Sequence, residues 1–129
     1  MTTFFVHGLP VPQGSSRAFV VNGRAVVTSA NRNLKDWRNL VSLRAQEFAK
    51  MHEGAIGIEL QFFLPRPASL PKKVLHHMKK PDLDKLIRAC LDSMTGIMFK
   101  DDSQVTSIQA SKEYATTSQG VRVSIYSNA

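Results

Sequence analysis

The chain has 129 residues, 43% of them hydrophobic, and sets 17 Lys+Arg against 10 Asp+Glu for a formal net charge of +7. That length supports one domain with a substantial core over residues 1–129, and apolar runs this short exclude a bilayer-spanning segment. One cysteine, Cys90, excludes an intrachain disulfide, and the opening MTTFFVHGLPVP lacks the layout of a secretory signal, so the expectation is a cytoplasmic protein whose pI near 9.9 suits a polyanionic partner, nucleic acid above all.

In chain order, residues 3–8 (TFFVHG) read as a short strand that ends in a Gly/Pro-rich turn. Residues 18–27 read as a hairpin, because β-branched runs flank Asn22-Gly23, a pair suited to a type I′ turn. Over 31–52, Leu34, Trp37, Val41, Ala45 and Phe48 recur at helical spacing, with Gly54 as a terminator. Ile56, Ile58, Leu60, Phe62 and Leu64 then alternate as in a half-buried strand.

Residues 65–81 carry four prolines, five Lys/Arg and two His, and read as a long exposed loop. A loop of that length in a compact domain is usually functional or disordered. Residues 82–94 form a second helix, with Leu83, Leu86, Ile87, Cys90, Leu91 and Met94 on one arc and Asp84, Lys85, Arg88 and Asp92 on the other. Two alternating stretches, joined by TTSQG, close the chain as strands. The order β-ββ-α-β-loop-α-β-β implies an α+β fold, a mixed or antiparallel sheet with two helices against it.

The acids of this basic chain are concentrated. Five of its six aspartates, Asp82, Asp84, Asp92, Asp101 and Asp102, fall in residues 82–102. Part of this has a local explanation: Asp82 is placed to cap the second helix, Asp84 sits in its first turn, and an Asp84–Arg88 pair adds roughly 0.2–0.5 kcal/mol. Asp101 and Asp102, just before a strand, have no helix to cap. If the connector TGIMFK brings Asp102 within about 4–6 Å of Asp82 and Asp84, the three carboxylates repel one another and require a cation. Lys79, Lys80 and Arg88 are available for that. So is Mg²⁺, or Mn²⁺ in its place, which takes hard oxygen ligands from carboxylates, water and phosphate. Such an ion activates water and stabilises a leaving oxygen in phosphodiester hydrolysis.

Lys72, Lys73, Lys79 and Lys80 are the best phosphate contacts, with Arg17 after QGSS as a further one; the competing reading is a solvated basic loop. His76 and His77 read as exposed loop residues or phosphate contacts. Cys90 and Trp37 lie on apolar helix faces and read as core. Phe99, between the two groups of aspartates, either packs beneath the site or acts as a wedge against the nucleic-acid partner. No Ser-His-Asp arrangement, P-loop or zinc-type cysteine spacing is present.

The run K-P-D-L-D-K-L-I-R-A-x-L-D-x-M-x-G, then D-D-S-Q-V and a strand carrying Lys112, resembles the RusA-type Holliday-junction resolvases of bacteria and their prophages. G-L-P-V-P-Q-G-S-S-R resembles their N-terminal strand and turn. The resemblance implies a Mg²⁺-dependent homodimeric endonuclease, without membrane segment or organic cofactor, that nicks opposed strands of a four-way DNA junction in recombination and repair. It places the essential carboxylates on Asp82, Asp84 and Asp102, the accompanying acid on Asp101 and a recurrent helix aspartate on Asp92. It also puts Lys85 and Lys112 among the groups facing DNA. Lys85 stands where the family has Asn, and Arg88 stands where it has a catalytic Lys. Arginine stays protonated, so Arg88 serves by stabilising phosphate charge rather than by moving a proton. Resolving a junction takes two cuts, which a two-fold dimer supplies. Two other readings stay open: a nuclease of flaps or forks, and a non-catalytic nucleic-acid-binding module in which the aspartates only cap and pair.

Overall fold

Ile56, Ile58, Leu60, Phe62 and Leu64 are all buried along β4 (Ile56–Leu64), which makes this strand the spine of the sheet. The structure is a computed structural model that describes residues 1–14, 16–29, 33–48 and 50–128, with side chains described outside 16–21 and 24–29. The remaining elements are β1 (Thr2–His7), β2 (Ser16–Val21), β3 (Arg24–Ser29), α1 (Leu34–Glu47), α2 (Leu83–Met94), β5 (Val105–Tyr114) and β6 (Gly120–Ser127). Four strands form a sheet in the order β1-β6-β4-β5, and β2-β3 form a separate hairpin. The expected α+β class and element order hold.

The hairpin turn is the expected one: Asn22 and Gly23 have φ of 50° and 76°, the left-handed pair that a type I′ turn requires. Of the helix expected over 31–52, α1 covers Leu34–Glu47; residues 31, 32 and 49 lie outside the described residues, and 50–52 are not helical, the apolar stripe of Leu34, Trp37, Val41 and Ala45 having ended a turn before Phe48.

The sheet is mixed, and the one parallel pair matters most. β4 pairs with β6, and β1 with β6, antiparallel; β4 and β5 run parallel, from Ile56 beside Val105 to Leu64 beside Tyr114. Parallel neighbours cannot be joined by a hairpin, so residues 65–81 and α2 form the crossover. The helix therefore runs opposite to both strands. Its first turn lies at the ends of β4 and β5, and its last turn lies at their beginnings.

α2 is held by its apolar arc. Leu86, Ala89, Cys90 and Met94 are buried, with Leu83, Ile87 and Leu91 partly covered. Truncating a fully buried residue such as Leu86 to Ala costs about 2–5 kcal/mol. The Ser42 hydroxyl donates to the Ser93 carbonyl at 2.7 Å and so ties α1 to α2. No helix among the described residues is long and apolar enough to cross a membrane.

Candidate active site

Asp82 occupies the N-cap position of α2 in extended conformation, yet its side chain makes no capping hydrogen bond. Asp84, in the first turn, is exposed, and the Asp84–Arg88 pair expected from their spacing does not form; the ion pair found among the described residues joins Arg44 and Glu47. Both carboxylates are thus presented to solvent with their oxygens unengaged. Arg88 is exposed one turn beyond Asp84, on the same helix face.

The backbone in front of Asp82 is held from below. Lys112, near the end of β5, donates through Nζ to the carbonyls of Lys79 at 2.7 Å and Pro81 at 3.0 Å. Two of its three ammonium donors are therefore committed to protein, so a phosphate could use only the third. Arg66 fastens the rest of residues 65–81, donating to Val74 and Pro71 carbonyls at 2.8 Å each, with its guanidinium over the Tyr114 ring. The expected long loop thus has no helix or strand, but is stapled at both ends.

His77 corrects a sequence expectation. It is 7% exposed rather than solvent-facing, because its ring packs on Tyr114 at 4.9 Å between centroids. Burial, then the nearby Lys112 and Lys79 charges, hold its imidazole below the ordinary value, so it is neutral at pH 7. Lys72, Lys73, Lys79 and Lys80 are exposed and Lys85 is half-buried, its carbonyl accepting the Gln13 N–H at 3.0 Å. Arg17 falls in β2, among the side chains outside the described set.

The other acids lie at the opposite end of α2. The expectation that Asp101 has no helix to cap is overturned. It caps the 3₁₀ turn Asp102–Gln104: its Oδ1 accepts the Ser103 N–H at 2.9 Å while Gln104 Oε1 accepts the Asp101 N–H at 3.0 Å. That backbone N–H of Ser103 is the chief cause holding the Asp101 carboxyl below its ordinary range. Gln104 Nε2 also donates to the carbonyls of His52 and Gly54, anchoring the turn beside the start of β4. Phe99, fully buried, belongs to this end; it fills core and cannot act as a wedge. Asp102 is exposed.

Convergence of Asp82, Asp84 and Asp102 within one chain is therefore not what this topology produces. The 12 residues of α2 stand between the two ends, roughly 18 Å at 1.5 Å per residue. Among the described residues no three His, Cys, Asp or Glu group so as to hold a metal ion. What does fit a hard cation is the Asp82–Asp84 pair: two exposed carboxylates with free oxygens, and Mg²⁺ commonly takes one or two protein carboxylates. The spacing Asp101-x-x-Gln104 is a legible capping signal that the reading from sequence missed. Nothing local in the sequence marks Lys112 as the clamp beneath Pro81, since that contact joins residues 31 apart.

A groove of about 670 Å³ opens beside Asp82, its lining drawn from the connector after β1, the segment after β4 and residues 77–85. Comparison with known proteins adds two findings. A family model described as "Endodeoxyribonuclease RusA" matches residues 8–126. A Bacillus subtilis (strain 168) protein called "Uncharacterized protein YqaN" is 27% identical over 124 residues, covering 87% of this chain and 87% of that protein.

Proposed function

The chain belongs to the RusA endodeoxyribonuclease family, and from that premise we propose that it is a Mg²⁺-dependent resolvase of four-way DNA junctions, acting as a two-fold homodimer on both opposed strands. The observation that carries this reading is the pair of unengaged carboxylates, Asp82 and Asp84, raised on a clamped helix start amid Lys79, Lys80 and Lys85. Acids alone would repel DNA; acids that share a cation with a phosphate, within a basic surface, would not.

In this reading Asp82 and Asp84 hold the ion, whose chemistry is to lower the pKa of the attacking water and steady the leaving oxygen. Arg88 clamps the phosphate by charge and hydrogen bonds. Lys72, Lys73, Lys79, Lys80 and Arg17 grip the flanking backbone. Lys112 keeps the Lys79–Pro81 backbone in place under the carboxylates.

Asp102 enters through the second copy. β5 is the sheet's edge, and no strand among the described residues pairs with its outer side. At its centre Ile108, aligned with the buried Ile58, is left 41% exposed on an otherwise polar strand, whose outer edge offers a template on which a partner strand can pair. Antiparallel pairing of two β5 edges about a two-fold axis would bring the Asp101–Asp102 turn of each copy to the end of the other that bears Asp82 and Asp84. Each site would then contain a full set of acids, and the two sites would be coupled in one dimer.

The test is a cleavage gel with a labelled four-way junction, a flap, a fork and a matched linear duplex, with and without Mg²⁺. Paired nicks near the branch point of the junction, only with Mg²⁺, are expected. Preferential cutting of flaps or forks would move the substrate within branched DNA, and a gel shift without nicks under all conditions would favour a binding module.

A further inference from the structure

The groove beside Asp82 has a use that the carboxylates do not explain. Its apolar wall comes from Leu9 and Pro10, in the connector after β1, and from Pro65 and Pro67 after β4. Gly8, at φ +145°, lies where β1 gives way to this connector, and an added Cβ on it would press on Leu40 at 3.0 Å. The connector is tied to α2 by the Gln13–Lys85 bond, which sets this side of the wall beside the helix start. Lys79, Lys80 and Lys85 supply positive charge along it. An apolar groove bordered by lysines suits a base with its phosphate attached.

We propose that this groove receives an unstacked nucleotide from the strand being cut, next to the scissile phosphate. The inference rests on the nuclease reading above and extends it to how branched DNA is told from duplex. The volume of about 670 Å³ lies in the usual range for a site that encloses a small ligand. Taking a base out of an intact stack costs a few kcal/mol, and less at a branch point, where stacking onto the next pair is already interrupted. Only a branch point offers the groove a nucleotide cheaply. Apolar faces then hold the base in a sequence-tolerant way, while the lysines fix its phosphate near Asp82.

The experiment is site-directed thiol crosslinking. Leu9 is 47% exposed, so Leu9→Cys should fold normally. The native Cys90 is fully buried, with its thiol pushed up to about 12 by that burial, and will not compete. A four-way junction carrying a disulfide-tethered base on either side of the scissile phosphate is mixed with the variant in the absence of Mg²⁺. Leu43→Cys, 61% exposed on the outer face of α1, is the control. One flanking position should crosslink to the Leu9→Cys variant with roughly tenfold the yield of the control, as proximity raises effective concentration, and a bound linear duplex should not.

Equal yields from the two variants, or equal yields from junction and duplex, would overturn the groove. Unmodified protein is assayed for Mg²⁺-dependent cutting of the same DNA. Cutting without a crosslink in the Leu9→Cys variant removes the groove and leaves the nuclease reading standing; no cutting of any branched DNA removes that reading itself.

Discussion

At the start of α2, Asp82 and Asp84 are exposed, uncapped and unpaired, on a backbone that Lys112 clamps from beneath. Beyond its other end, Asp101 is locked by Ser103 and Gln104 into a reciprocal capping box, with Asp102 exposed next to it. The same residue type thus serves two physical ends. Where the carboxylate is structural, as at Asp101, the fold gives it a backbone N–H donor; where the carboxylates are left unengaged, as at Asp82 and Asp84, it instead fixes the backbone that carries them. An unsatisfied acid on a rigid mount can bind a cation without first giving up hydrogen bonds.

The largest effects should come from testing whether the two ends work together. Asp84→Asn should lower junction cleavage by roughly a hundredfold or more, the scale of losing one electrostatic group at a reacting centre, while junction affinity measured by gel shift holds or rises. Asp102→Asn should do the same. Mixing the two inactive proteins should restore single nicks, since one of the two sites in a mixed dimer then has all its acids. No recovery on mixing, with dimers shown to exchange, would put Asp102 outside the partner's site.

Next in size is the clamp. Lys112→Met leaves the Lys79 and Pro81 carbonyls without their donor, and a displacement of the Asp82 mount should cost about 10- to 100-fold in cleavage. Junction affinity and its salt dependence should stay nearly unchanged. A salt slope shallower by about one would instead make Lys112 a phosphate contact.

A smaller effect concerns pH. His77 has a folded-state pKa below its unfolded value, so it favours the fold while neutral, and that contribution is lost as pH falls from about 6.5 through the folded value. His77→Phe keeps the ring contact with Tyr114 and should flatten the fall in thermal midpoint over this range. The remainder should come from His52, which burial also shifts downward. Smallest of all, Asp101→Ala should lower the midpoint slightly near neutral pH. The Asp101 contribution is full above the ordinary carboxylate range and disappears as pH falls through its lowered folded value, so variant and parent should converge in acid.

Much of this was legible in the residues. Alternation along 56–64, the Asn22-Gly23 turn and the apolar arc of α2 are local patterns, and local patterns survive folding because each follows from the period of one element. Asp82 at a helix start is likewise read from neighbours in the chain, and Asp101-x-x-Gln104, though missed, is a signal of the same local kind. The burial of His77, the Lys112 clamp and the failure of Asp84 to pair with Arg88 are different. Each depends on which element lies alongside, and spacing along the chain does not specify that.

The sequence alone determined the elements, the basic surface and the family resemblance carried by the aspartate run, because these reside in residue type and short-range spacing. Only the tertiary structure decided where the acids go. Setting β5 parallel to β4 forces α2 to run back between them, and that single choice of strand direction sends Asp82 and Asp84 to one end of the sheet and Asp102 to the other.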